Sequence, residues 1–207
     1  MDLGFKNAGF DIVWANDFDL DSVKTYKRNF GDHIVLGDIE KIKTNQMPDN
    51  PDVVIGGFPC QGFSIANLGR SVDDSRNKLY KQMLRVIRVK KPKYFVAENV
   101  EGILTLGKGA VIQKILKDFK SIGYKVDYKL LNAADYGVPQ LRKRLIVIGN
   151  RTGHIIPWPK RKFFKDPEDW QKPFRTVGEV ITDLSLESSY VNQTCHIPMK
   201  HKPLLVE

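Results

Sequence analysis

Short β-branched runs alternate with amphipathic stretches over the first two thirds of the chain, and few folds besides repeated βα units around a mostly parallel twisted sheet accept that rhythm. Strands are expected at residues 11–15, 33–36, 52–55, 94–97, 125–131 and 144–148. Helices are expected between them: 19–29, capped by Asp19 and closed before Gly31, then 75–89, then 110–122, ending at Gly123. In the third, the pattern IxxILxxFxxIGY lays its apolar residues along one stripe, which suits packing on a sheet. After Asn150 the rhythm fails. Residues 151–173 are rich in proline and charge, and 176–184 is the last stretch with an amphipathic pattern.

A chain of 207 residues is enough for one well-buried domain and leaves little for a second. No apolar run approaches the roughly 18 to 20 residues needed to span a bilayer. The opening MDLGFKNAGF is acidic and polar where a secretory signal needs a basic patch and an apolar core, so a cytoplasmic setting without membrane contact is expected. Cys60 and Cys195 are the two cysteines, and no CxxC or paired Cys/His spacing accompanies them, which argues against a disulfide framework or a metal site. The net charge of +9 favours an acidic partner, nucleic acid being the commonest. Many lysines near 83–89 and 112–119 nevertheless fit a solvated helix face equally well.

Four segments carry the chemistry. GGFPCQGFS, residues 56–64, follows the apolar run DVVI, and loops at the carboxyl ends of parallel strands form the ligand crevice. Pro59 fixes the approach to Cys60, whose thiolate would be a nucleophile; a lone cysteine can also be a small buried hydrophobe. VAENV, residues 96–100, delivers Glu98 and Asn99 to the same sheet edge one βα unit later. There a carboxyl group can hold a proton and hydrogen-bond a ring nitrogen, or simply cap a turn. In QLRKR, Arg142 and Arg144 alternate with Lys143 and share a face of an extended segment, suiting a phosphate or a carbonyl oxygen, or supplying ordinary strand-entry charge. WANDFD and LGDI place Asp17 and Asp38 at adjacent strand ends, where an acid binds ribose hydroxyls or an exocyclic amine, or caps a helix; Phe18 is placed to stack on adenine.

In this order the segments FPCQGFS, ENV and QLRKR resemble the C5-cytosine DNA methyltransferase family, and the resemblance runs from Asp2 to Glu207. DDSRNKLY, residues 73–80, and NAADYGVPQ, residues 132–140, resemble two further family segments. The resemblance implies a Rossmann-like methyltransferase domain, S-adenosylmethionine as methyl donor, no metal, and double-stranded DNA as partner. It implies that a cytosine is flipped out of the duplex, that Cys60 adds to C6, that Glu98 holds or protonates N3, and that Arg144 binds the O2 carbonyl. Gln61, Ser64, Arg142 and Asn99 would contact DNA or the flipped base. Asp17, Phe18, Asp38, Ile39 and Pro59 would line the cofactor site.

The family opens with a strand and a glycine-rich turn that are absent here, so the sheet is expected to lack its first strand. KHKPLLVE resembles the entry to the family's target-recognition domain. Residues 1–150 are therefore expected to form a partial catalytic domain, and 151–207 a linker with the start of the recognition domain. The isolated chain is expected to bind DNA weakly and to methylate it poorly. Other readings are a tRNA cytosine methyltransferase using the same motifs, a non-catalytic fragment, one subunit of a split enzyme completed by a C-terminal partner, and a cysteine hydrolase. The last needs an imidazole base, yet His33, His154, His196 and His201 lie outside any thiol-partner motif.

Overall fold

The computed structural model describes residues 1–59 and 79–181. Cys60, Gln61, Ser64, Cys195, the start of the 75–89 helix and the tail lie outside the described residues. The chain divides into two compact units: Met1–Leu131 with Lys143–Trp158, and Asn132–Arg142 with the chain from Pro159 onward.

The first unit opens with α1 (Asp2–Asn7), β1 (Ala15–Asp17), α2 (Leu20–Phe30) and β2 (Ile34–Leu36). It continues with β3 (Val53–Gly57), α3 (Leu79–Lys90), β4 (Tyr94–Val100), α4 (Ala110–Ser121), β5 (Lys125–Asn132) and β6 (Lys143–Asn150). Strands β1 and β2 pair in parallel, and a four-stranded sheet runs in the order β3-β4-β6-β5. Within it β3 and β4 are parallel while β6 runs against β4, so the α/β sheet is mixed. The period-2 pattern of β6 reveals that it is a strand and says nothing of its direction.

Packing follows the alternation. Phe95 and Ala97 of β4 face Gly149 and Val147 of β6 across the ladder, and all four are buried. The stripe expected on α4 is observed: Ile112, Ile115, Leu116 and Phe119 are buried, and the Phe119 ring lies 4.4 Å from that of Phe95. Ile87 of α3 completes this centre. Each such side chain contributes about 1.5–3 kcal/mol when withdrawn from water.

The ends of α2 form as expected. The Asp19 carboxylate accepts the Ser22 N–H at 2.7 Å, a bond that holds its pKa below the usual range, and Gly31 terminates the helix with φ 109°, a conformation costly for other residues. The first strand lies at Ala15–Asp17 rather than 11–15, because its ladder partner β2 stands opposite those residues. Lys90, at the end of the cationic helix, is buried, donating to the Met47 carbonyl at 2.7 Å and pairing with Asp49 at 2.5 Å.

The Tyr80 hydroxyl donates to Asp118 at 3.0 Å, and that of Tyr124 to the Pro92 carbonyl at 2.6 Å. Burial first, and then the Asp118 carboxylate, push the Tyr80 pKa from 10.0 up to about 12; burial raises Tyr124 too. The folded chain thus keeps protons that the unfolded chain releases above pH 10, so stability is intact below that pH and falls as pH climbs towards about 12. Thermal-unfolding midpoints measured through this window should decline; a flat profile would contradict the assignment.

The second unit contains a 3-10 turn at Ala133–Tyr136, a short parallel pair formed by β7 (Phe163–Phe164) and β8 (Lys172–Pro173), and α5 (Val177–Ile181).

Candidate active site

Glu98 lies near the end of β4, opposite Gly57 of β3 in the parallel register. A Cβ at position 57 would come within 3.3 Å of Glu98 Oε2, so the glycine leaves the carboxylate its space. Because β6 runs against β4, its first residues meet the last ones of β4, and Val100 stands opposite Arg144. Arg144 Nε reaches Glu98 Oε1 at 2.8 Å. The two side chains are 25% and 29% exposed, enough for both to remain accessible to a ligand. Lys143 and Glu101 make a looser, exposed pair beside them at 3.3 Å.

Asn99 faces the other way and is buried. Its Nδ2 donates to the Phe58 carbonyl at 2.9 Å, while its Oδ1 accepts the Val100 N–H at 2.9 Å. Both ends of the amide are therefore used within the chain, and they fasten the backbone two residues before Cys60. Phe58 is itself buried, with its ring 6.1 Å from that of Tyr80, and Pro59 is exposed. Asn99→Ala would leave a buried carbonyl without its donor, at a cost of about 1–3 kcal/mol. Urea unfolding should register this loss, and an unchanged midpoint would mean the clamp is dispensable.

A second cluster forms where β1 and β2 end side by side. The Gly37 N–H donates to the Asp17 carbonyl at 2.9 Å, and Asn16 Nδ2 donates to the carbonyls of Val35 and Gly37 at 2.9 and 2.8 Å. Asp17 Oδ1 accepts the Asp19 N–H at 2.9 Å, and Asp38 Oδ1 accepts the Glu40 N–H at 2.9 Å. The helix cap is Asp19, so Asp17 is not needed for that task. Between the acids in sequence stands Phe18, 80% exposed, so a face of its ring is open to a ligand. Arg85 of α3 donates to the carbonyls of Ile39 at 2.7 Å and Ile42 at 3.1 Å, holding the turn that follows β2.

Asn16 and Arg85 hold the backbone of this cluster, and neither was among the residues expected from the sequence. Asn16 lies inside the WANDFD segment, which offered a signal; Arg85 lies in a cationic stretch indistinguishable from a solvated face. Arg142 belongs to the second unit, is exposed, and donates its backbone N–H to Asn132 Oδ1 at 3.0 Å. Among the described residues no group of three or more His, Cys, Asp or Glu side chains gathers that could hold a metal. No helix among them is long and apolar enough to cross a membrane.

These strands and strand-end acids define a Rossmann-like methyltransferase fold. A solved E. coli prophage-encoded protein, described as a DNA modification methyltransferase, superposes with a TM-score of 0.61 at 33% identity, covering 72% of this chain and 42% of that one. The family model for C-5 cytosine-specific DNA methylase matches residues 1–202, and the chain belongs to that family. It is 42% identical over 193 residues to the type II methyltransferase M.NgoFVII of Neisseria gonorrhoeae, covering 91% of this chain and 51% of the relative. To M.AquIA of Picosynechococcus sp. it is 37% identical over 208 residues, covering 89% of this chain and 84% of the relative. The chain spans between 40% and 53% of the length of four relatives, M.NgoFVII among them.

Proposed function

We propose that the chain carries the catalytic residues of an enzyme that methylates C5 of cytosine in double-stranded DNA through a covalent adduct with Cys60. The observation that carries this reading is the Glu98–Arg144 pair, held open at the sheet edge in a member of this family. An acid and a guanidinium side by side match the N3 and O2 edge of a cytosine, the acid donating a proton and the guanidinium donating hydrogen bonds.

The chemistry then follows from electron flow. The Cys60 thiolate adds to C6 of the extruded base, and the electron pair of the C5–C6 bond moves towards the ring carbonyl and N3. Arg144 stabilises the charge gathering on O2, and Glu98 holds or supplies the proton at N3. C5 is now nucleophilic. Once C5 carries the methyl group, loss of its proton restores the double bond and expels the Cys60 sulfur. Gln61, Ser64 and Arg142 are assigned to the DNA around the flipped nucleotide, with Asn99 and Pro59 holding the loop between base and cofactor.

S-adenosylmethionine supplies an electrophilic methyl group when bound. The residues present suit such a nucleoside: the exposed Phe18 offers a face for adenine, Asp17 and Asp38 offer acceptors for ribose hydroxyls and the exocyclic amine, and Ile39 lies beside them.

Duplex DNA containing 5-fluorocytosine tests the whole reading, because a C5 fluorine cannot leave as a proton does and the thiol adduct persists. An enzyme spanning the full length of its relatives should form a denaturation-resistant complex with this DNA in the presence of the methyl donor. Trapping on fluorinated tRNA alone would move the substrate assignment to RNA, and absence of any adduct would end it.

A further inference from the structure

The segment that follows Trp158 leads into β7 (Phe163–Phe164) and contributes nothing to the two side-chain clusters described above. From Pro159 to Lys165 it reads PKRKFFK, with four cations and no acid. Resting on the reading of duplex DNA as substrate, we propose that Lys160 and Lys162 form a phosphate-contacting edge through which the second unit grips the DNA backbone.

The structure separates Arg161 from the lysines on either side of it. Arg161 Nε pairs with Asp135 Oδ2 at 3.1 Å, and Asp135 is 8% exposed. The Lys162 backbone N–H donates to the Asp135 carbonyl at 2.9 Å, and the Tyr136 hydroxyl donates to the Pro159 carbonyl at 3.3 Å. One residue further, the Phe163 ring covers Gly137, where a Cβ would come within 2.7 Å of it. The stretch from Pro159 to Phe163 is thus fastened at four points along the turn Ala133–Tyr136 and the glycine after it.

Arg161 acts as the anchor, and its charge is committed to a buried acid. Lys160 and Lys162, on either side of it, are exposed and make no ion pair among the described residues. Two like charges on a fastened backbone repel each other in the free protein. A polyanion relieves that repulsion, and little backbone entropy is lost on contact because the segment is already held. An ordinary solvated lysine run needs no such fastening. Lysine ammonium groups act as point charges on phosphate, so the contact is independent of base sequence and lends affinity and register rather than specificity.

The test titrates the chain with a short mixed-sequence duplex over a series of salt concentrations. Each phosphate neutralised contributes about 0.9 to the slope of log affinity against log salt. Lys160→Ala/Lys162→Ala should therefore lower the slope by about 2 and weaken binding alike on every sequence. The exposed pair Lys114→Ala/Lys117→Ala on α4 should leave the slope where it was. An unchanged slope for the first variant, an equal fall for the second, or no binding by the unaltered chain would each overturn the proposal. Failure of fluorocytosine trapping with the slope difference intact would remove the methylation chemistry and leave this surface standing.

Discussion

Cys60→Ser, made in an enzyme spanning the full length of its relatives, is expected to lose methyl incorporation by about four orders of magnitude or more, equivalent to roughly 5–6 kcal/mol of barrier. C5 of an aromatic cytosine is a poor nucleophile, and it becomes reactive once a group has added at C6. A serine hydroxyl stays protonated at neutral pH and adds far less readily than a thiolate. The Glu98–Arg144 pair, which the proposed function assigns to the base, is untouched by the change, so DNA affinity should be nearly unaltered. Incorporation of labelled methyl groups, measured at matched DNA occupancy, separates the two quantities. Retention of activity within about tenfold of the unaltered enzyme, or 1.4 kcal/mol, would exclude the thiol as nucleophile.

Gly149→Ala is expected to destabilise the first unit by about 3 kcal/mol, the upper end of what overpacking usually costs. Gly149 stands opposite Phe95 across the β4–β6 ladder, and a Cβ there would fall 1.8 Å from Phe95 Cε1. The ring has nowhere to go. It is fully buried, with Phe119 at 4.4 Å and Tyr124 at 5.2 Å between centroids. Urea unfolding of the variant should show an earlier midpoint, and adding Phe95→Leu should recover part of the loss by vacating the contested volume. An unshifted midpoint for the single variant would mean the strands separate more readily than their packing implies.

What could be read from the sequence was local. The limits of α2 and α4 follow from an acidic cap at Asp19 and from glycines at 31 and 123, each acting on the residues beside it. Glu98 could be placed at a strand end from VAENV, since the period-2 run stops there. Its union with Arg144 could not, because that depends on β6 running against β4, and hydrophobic alternation is the same in either direction. The other unforeseen residues share this character. Arg85 and Lys90 satisfy backbone carbonyls at positions 39, 42 and 47, on a different element, and no periodic pattern marks such a partner in advance. The family resemblance implies roles for Cys60, Gln61 and Ser64, which lie outside the described residues. The division into two units, with residues 132–142 leaving the first one and 143–158 returning to it, also arises from three-dimensional packing that a linear pattern does not carry.

The opposed course of β4 and β6 has one more implication, for how such a chain can change over time. Acid and guanidinium meet because one strand finishes where the other starts, and the loops that join the elements between residues 101 and 142 need no set length for that meeting to occur. Loops there can grow, shrink or be cut and rejoined elsewhere while the two ladders stay in step. The pair is therefore buffered against insertions in the connecting loops, while α4 and β5, which pack on or pair within the sheet, remain constrained.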